Sequence, residues 1–366
     1  MMTEVYPSSE TAVHGPRGTR RDRPWAASAR PLLGVMLGLL AAGCAARSAP
    51  SQRVTETRRL MGAPWTITVY AADGEAGRAA IAAAFAEVER LERILSDYDP
   101  ASELSRLSAA APMPEAVPVG PDLWRVLARA VEIRDATGGG FDPTVGPLTK
   151  LWRQARRTGR MPPPEKLAAA AAAVGPEALV LVPPNQVLLP RPGTRLDLGG
   201  IGMGDAVDRA VDVLRGLGIR AALVDASGDV GALGAPPGAA GWRVEVAASG
   251  RREGGEAREC LVIADAAVTT SGDAFQAVEI DGIRYSHIVD PRTGLGVVGP
   301  AAITVIAPDC TTADALATAA SVLGPERGLA AVAARPGCAA RSVWVDAGRR
   351  REAATPTWPA AAARGH

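Results

Sequence analysis

The sequence predicts an α+β fold, with helices and strands mixed in one domain rather than wound on both faces of a parallel sheet. Two observations carry this reading. Apolar residues alternate in some windows and recur at spacings of three and four in others, as half-buried strands and amphipathic helices require. The second half of the chain also sets several short strand-like runs close together, as hairpin arms would be. With 366 residues, 47% of them hydrophobic, there is material for a substantial core.

Taken in order, residues 1–43 read as an export signal of the lipoprotein type. Arg17, Arg20, Arg21, Arg23 and Arg30 precede an apolar run over residues 31–42, which is short for a bilayer span and has the length of a signal-peptide core. Leu40-Ala41-Ala42-Gly43-Cys44 resembles a lipobox, in which Cys44 would be lipidated after cleavage. An ordinary cleaved signal with an incidental cysteine is the other reading. A twin-arginine signal is disfavoured, because Asp22-Arg23-Pro24 follows Arg20-Arg21. The chain is therefore expected to be exported and anchored to a membrane, facing the periplasm or cell exterior. Residues 44–58 read as a tether and 59–345 as the folded domain; 346–366, rich in Arg, Ala and Pro, read as a disordered tail.

Within the domain, Trp65-Thr66-Ile67-Thr68-Val69-Tyr70 alternates like a strand. Ile81, Phe85, Val88, Leu91 and Leu95 line one helix face, which stops at Asp97-Tyr98-Asp99-Pro100. A second helix starts with Asp122 as its N-cap, runs through Leu123, Leu127 and Val131, and stops at Gly138-Gly139-Gly140. A Pro-started, Ala-rich helix covers 162–174, followed by strand-like runs at 178–182 and 187–189. Later strands are expected at 221–224, 242–246, 261–264, 277–280 and 303–306, with helices at 205–217 and 312–323.

Charge narrows the class of partner. Lys and Arg number 40 against 39 Asp and Glu, so no overall field points to nucleic acid, and an anionic ligand must be held locally. Cys260, Cys310 and Cys338 follow Cys44 with no CxxC pair. They indicate neither a zinc site nor a disulfide framework, and leave room for one bridge.

Four clusters are candidates for chemistry. Asp197-Leu198-Gly199-Gly200-Ile201-Gly202-Met203-Gly204 joins a strand to a helix. Its glycines admit a ligand to the backbone and a helix N-terminus favours phosphate, although a structural turn would look the same. Asp314 and Thr318 are four residues apart and present hard oxygens on one helix face, an arrangement suited to Mg²⁺. Helix capping by Thr311 or Thr312, with Asp314 favouring the dipole, is the alternative. Tyr285-Ser286-His287-Ile288-Val289-Asp290-Pro291-Arg292-Thr293-Gly294 holds the one histidine of the mature domain, since His14 and His366 lie near the two ends. His287 can serve as an acid or base at neutral pH, or as a structural hydrogen-bonder. The segment 138–148 begins Gly138-Gly139-Gly140 and turns at Asp142-Pro143, as a binding wall or an elaborate helix stop.

Together and in this order, these segments resemble the ApbE family of FAD:protein FMN transferases. The family's G-x-F-D-P-T-V-x-P-L, D-L-G-G-I-A-K-G, S-G-D, T-S-G-D, Y-S-H-I-x-D-P-x-T-G and A-D-A-L-A-T segments stand here at 139–148, 197–204, 227–229, 270–273, 285–294 and 313–318. Met61-Gly62, Ser96-Asp97-Tyr98 and Ser102-Glu103-Leu104 also fit, so the likeness spans residues 60–329.

The resemblance implies an ApbE-like mixed α/β domain with a flavin-binding cleft. It implies a Mg²⁺-dependent enzyme that splits FAD, joins FMN through a phosphoester to a Thr or Ser of an acceptor protein, and releases AMP. FAD is then substrate, Mg²⁺ the cofactor, and the acceptors flavin-bearing subunits of membrane redox complexes. Asp314 and Thr318 would hold the metal, with backbone oxygens near Gly200 and Ala317. Met61, Tyr98, Gly140, Phe141, Asp142, Asp197, Met203 and Ile288 would contact FAD, and His287 would take the acceptor's proton with Asp290 orienting it. Met203 stands where the family usually has Lys or Glu, and Gly202 and Asp205 replace Ala and Tyr; a thioether offers only packing there, which would lower FAD affinity or alter its pose. A FAD pyrophosphatase that uses water, and a non-catalytic flavin-binding lipoprotein, are the alternatives.

Overall fold

The computed structural model describes residues 51–252, 255–272, 277–298, 301–346 and 348–359. The leader with Cys44, and Asp273 of the fourth motif, lie outside them. The described chain opens with the hairpin β1 (Gln52–Leu60) and β2 (Ala63–Ala71), followed by α1 (Gly74–Leu95) and α2 (Glu103–Ala109). β3 (Val117–Pro118) leads to α3 (Pro121–Ala136), α4 (Gly146–Thr158), α5 (Pro164–Ala171), β4 (Val180–Val182) and β5 (Gln186–Leu188). After α6 (Gly202–Gly216) come β6 (Ala221–Ala226), β7 (Asp229–Leu233), β8 (Trp242–Arg252), β9 (Gly255–Ile263) and β10 (Ala266–Gly272). β11 (Ala277–Ile280), β12 (Ile283–Val289), β13 (Gly296–Val298) and β14 (Ala301–Ala307) follow, then α7 (Cys310–Leu323), α8 (Pro325–Ala333), β15 (Ala339–Asp346) and β16 (Arg349–Ala354).

The α+β expectation holds. An eight-stranded sheet runs in the order β1-β2-β6-β7-β10-β14-β15-β16, and its pairings are antiparallel throughout. Its strands obey the period of two. Trp65, Ile67 and Val69 of β2, Ala267 of β10 and Ile303 and Val305 of β14 face the main core with α1, α6 and α7. Tyr70, Val268 and Ile306 point the other way, under the β8–β9 hairpin with Trp242 and Leu261. Separating the two faces along each strand in this way is what fixes the register. A small sheet, β11-β12-β13, packs on α4, with the Trp152 and Tyr285 ring centroids 5.0 Å apart.

The structure corrects four boundaries. The expected tether, 44–58, already contains most of β1, and the expected tail, 346–366, contains β16 and the buried Thr355, whose amide donates to the Ala340 carbonyl at 2.8 Å. Both strands are sheet edges rich in Arg, with Glu in each, a composition that hinders further edge pairing and also hides a strand from hydropathy. The N-cap of α3 is Gly120, not Asp122, whose carboxylate instead accepts from Arg90 and Arg125 at 2.7 and 2.6 Å. The 138–148 segment is not all loop, since α4 begins at Gly146. Cys260, Cys310 and Cys338 are free thiols.

Candidate functional site

The separate motifs converge on α7. Its first turn is fixed from two sides: Asp309, the N-cap, accepts the Thr312 amide at 2.7 Å, and Asp208 of α6 accepts the Cys310 and Thr311 amides at 2.8 and 2.9 Å. Capping therefore falls to Asp309 rather than to Thr311 or Thr312. Asp314, one turn in, is buried, and its Oδ2 accepts the Gly204 amide at 3.2 Å. α6 has no side-chain cap of its own, so Asp314 satisfies one of its orphan amides from across the interface. One turn further along α7, Thr318 lies against Gly200: a Cβ there would stand 2.7 Å from Thr318 Oγ1. The Ala317 carbonyl between them accepts from Ser321 Oγ at 2.9 Å.

Electrostatics mark the same place. Burial pushes the Asp314 carboxyl well above the usual carboxylate range, Asp229 and Asp208 push it further, and only the Gly204 amide opposes them. Among the described residues, no cationic side chain offsets these effects. Asp229, in the Ser227-Gly228-Asp229 turn, is itself pushed up to about 6 by burial. Two carboxylates in one dry region without a counter-charge favour a bound cation. Among the described residues, no group of three or more His, Cys, Asp and Glu could hold a metal. Beside Asp314, the described oxygens that could serve such a site are the Thr318 hydroxyl and the backbone near Gly200 and Ala317. That donor set fits Mg²⁺ and not zinc.

The glycine-rich wall leans on the far end of α7. A Cβ on Gly140 would meet the Leu323 side chain at 2.8 Å, and Gly139 faces the Arg292 side chain. Phe141 and Asp142 are buried, with Asp142 Oδ1 accepting the Thr144 amide at 2.8 Å and its hydroxyl at 2.6 Å. The Pro143 carbonyl accepts the Asp197 amide at 2.8 Å, which ties this wall to the second glycine-rich segment. The Asp197 carboxylate accepts from the Gly199 amide at 2.8 Å, Thr149 Oγ1 at 2.7 Å and Arg153 at 2.9 Å. Arg153 also pairs with Asp97 and lies over the Tyr98 ring, 4.3 Å from its centroid. Tyr98 is 74% exposed, beside a cleft of about 240 Å³ lined by Lys150, Arg153, Arg157 and Arg195. Two larger hollows, of about 820 and 850 Å³, include none of the expected site residues.

His287 lies on β12, which packs against α7 and α4. Trp152 donates Nε1–H to the Gly294 carbonyl at 2.8 Å, and the Ile288 amide donates to Ser286 Oγ at 3.1 Å. Asp290, expected to orient His287, has a described partner in Arg292. Both Asp290 oxygens accept from Arg292, at 2.9 Å from Nε and 2.8 Å from the terminal nitrogen, and Arg292 reaches on to the Val322 carbonyl of α7 at 3.5 Å. Asp290 thus holds the β12–β13 turn against α7. Ile288 is buried, so any contact it makes with a ligand is through little side-chain surface. Met61, at a left-handed φ of +49° in the β1–β2 turn, and Met203 are half-buried against the main core.

The ApbE family model matches residues 61–342. The chain belongs to the ApbE family. A FAD:protein FMN transferase of Treponema pallidum (strain Nichols) is 35% identical over 282 residues, covering 73% of this chain and 78% of that one. One from Vibrio cholerae is 32% identical over 299 residues, covering 80% and 87%. The apo crystal structure of Pseudomonas stutzeri flavinyl transferase ApbE matches with a TM-score of 0.74 at 30% identity, covering 84% of this chain and 96% of that one. The flavin transferase ApbE from Vibrio cholerae gives 0.75 at 29%, covering 84% and 98%.

Within this ApbE domain, four residues at the site carry contacts that motif reading did not assign. Thr149, Trp152 and Arg153 sit on α4, whose sequence signal was the recurrence of Leu148, Trp152 and Ala155 before the left-handed Gly159. Asp229 stood in a quoted motif, but only the fold brings its charge to Asp314. Asp205 is buried, and its carboxylate accepts from Arg125 at 2.8 and 3.1 Å.

Proposed function

We propose that the chain is a Mg²⁺-dependent FAD:protein FMN transferase, which joins FMN through a phosphoester bond to a threonine or serine of an acceptor protein and releases AMP. The observation that carries this reading is the α6–α7 junction. There a buried, uncompensated Asp314 and the Thr318 hydroxyl meet a glycine-rich backbone. The activity named for relatives that align with most of this chain supports it.

Asp314, Thr318 and backbone oxygens near Gly200 and Ala317 would hold the metal, which when bound would neutralise charge on the pyrophosphate. The glycine-rich start of α6 offers backbone amides to phosphate oxygens. Tyr98 offers an aromatic face for a ring of FAD. The acceptor hydroxyl attacks the FMN-side phosphorus while His287 takes its proton. The bond from that phosphorus to the bridging oxygen breaks, and AMP leaves with the electron pair. Asp290 positions the strand that carries His287, through Arg292 and α7.

In this reading the leader is cleaved before Cys44, which is lipidated, so that the domain faces the periplasm or cell exterior beside the flavin-bearing subunits of membrane redox complexes. No helix among the described residues is long and apolar enough to cross a membrane. The test is incubation with FAD, Mg²⁺ and a candidate acceptor subunit, followed by an AMP assay with and without EDTA. Chelator-sensitive AMP release that requires the acceptor is expected; AMP release that ignores acceptor and chelator alike overturns the proposal. Labelled palmitate should enter the unsubstituted chain and not Cys44→Ala, and equal labelling overturns the anchor.

A further inference from the structure

α6 and α7 hold each other's N-termini. Asp314 of α7 accepts the Gly204 amide of α6 at 3.2 Å, and Asp208 of α6 accepts the Cys310 and Thr311 amides of α7 at 2.8 and 2.9 Å. The Thr311 hydroxyl donates to Asp208 as well. A third contact extends the series, because a Cβ on Gly200 would stand 2.7 Å from Thr318 Oγ1. Positions 200, 204 and 208 therefore face 318, 314 and 310–311 in turn. The numbers rise on one segment as they fall on the other, one helical turn per step, as antiparallel helices in contact require.

The three rungs of this ladder are unequal. Gly200 and Thr318 make only a close approach, and the Gly204 bond is at the long end of good hydrogen-bond geometry. Asp208 makes three shorter bonds to the positive end of α7. Burial pushes its carboxyl up to about 6 against these donors, which leaves it ionised at neutral pH. Both of its oxygens are engaged by α7, one turn beyond Gly204, so Asp208 holds a helix rather than a ligand. Consecutive rungs are about 6 Å apart, and a slip of α7 by one residue is about 1.5 Å. Such a slip would break the Asp208 bonds and carry Asp314 and Thr318 away from Gly204 and Gly200 together.

We propose that Asp208 is a positioning residue for the metal site, which fixes the register of α7 on α6 and so sets the spacing between the Asp314 and Thr318 oxygens and the glycine-rich backbone. The inference rests on the reading of this junction as the Mg²⁺ site. Outer partners of metal ligands act on affinity through orientation. A cation at saturating concentration draws Asp314 and Thr318 back into register, so the loss of Asp208 raises the Mg²⁺ concentration required and spares the maximal rate. FAD affinity without metal is unaffected.

The test titrates Mn²⁺, a paramagnetic substitute for Mg²⁺, into the full chain with FAD present, and reads free Mn²⁺ by electron paramagnetic resonance. Asp208→Asn keeps the size of the side chain but turns an NH₂ group toward the α7 donors. It should bind Mn²⁺ at least about tenfold more weakly, while metal-free FAD affinity, read by flavin fluorescence, stays within about twofold. Half-maximal transfer should need a correspondingly higher Mg²⁺ concentration, with the rate at saturation kept. Thr311→Val drops one of the three bonds and should weaken Mn²⁺ binding about threefold. Val69→Ala, which opens a cavity in the main core at β2, should melt lower and bind Mn²⁺ as the unsubstituted protein does. Unchanged Mn²⁺ binding by Asp208→Asn overturns the proposal, as does an equal weakening in Val69→Ala. If Asp208→Asn does not fold, unchanged binding by Thr311→Val overturns it. Absence of Mn²⁺ binding by the unsubstituted protein overturns the metal site and this proposal together, whereas Mn²⁺ binding without AMP or a labelled acceptor overturns the transferase reading alone.

Discussion

Gly204 donates its amide to Asp314 Oδ2 at 3.2 Å, and a Cβ on that glycine would lie 2.9 Å from Asp314 Cβ and 2.8 Å from the Cys310 carbonyl carbon. The start of α6 and the first turns of α7 therefore fit together only with glycine at this position. Gly204→Ala should force the helices apart at a cost of about 1–3 kcal/mol, the usual range for overpacking. Urea unfolding would show a lower midpoint, and Mg²⁺-dependent turnover should fall at least tenfold. Unchanged unfolding would mean that the interface is looser than described.

Asp314 also sets stability against function. Its folded carboxyl is raised by burial and by Asp229, so without metal the proton-linked stability it contributes is complete at acid pH and is lost as pH rises through the raised value. Removing the charge should help the metal-free fold at neutral pH. Asp314→Asn is expected to melt higher than the unsubstituted protein in EDTA, to show a flatter dependence on pH, and to gain nothing from added Mg²⁺. A lower melting temperature in EDTA would contradict this account.

Much of this site was legible in the sequence because its parts are local. The i, i+4 spacing put Asp314 and Thr318 on one face of α7, and the glycines at 200 and 204 marked the close approach that Thr318 and Asp314 now explain. What could not be read were contacts made by the fold alone. The Asp290 carboxylate accepts from Arg292, two residues on, whose fork matches both oxygens, a pairing the motif did not announce. β1 and β16 were hidden because edge strands need little hydrophobicity. The α4 helix was masked by Gly146-Pro147 at its start and by four basic residues, Arg153, Arg156, Arg157 and Arg160, near its end.

Trp152 couples α4 to the histidine strand. Trp152→Phe keeps most of the packing on Tyr285 but leaves the buried Gly294 carbonyl without its indole donor. The expected cost is about 1–3 kcal/mol, read as a lower melting temperature. Transfer should slow while FAD affinity is kept, because the defect lies under β12 rather than in the FAD wall.

Arg153 bridges Asp97 and Asp197 beneath Tyr98. Arg153→Ala leaves two carboxylates facing each other, and about 1–3 kcal/mol of stability should be lost after allowance for partial exposure. The KM for FAD should rise as Tyr98 loses its support. Arg153→Lys should recover only part of either effect, since an ammonium cannot reproduce the planar fork or the stacking. Full rescue by lysine would show that charge alone matters.

The central claim is that His287 activates an acceptor hydroxyl for attack on FAD, and in-gel flavin fluorescence of the acceptor under single-turnover conditions tests it most directly. The unsubstituted protein with FAD and Mg²⁺ should yield a fluorescent acceptor band with equimolar AMP. His287→Ala should bind FAD with unchanged affinity and yield neither product. Transfer by His287→Ala at the unsubstituted rate, or AMP accompanied by free FMN and an unlabelled acceptor, would contradict the account.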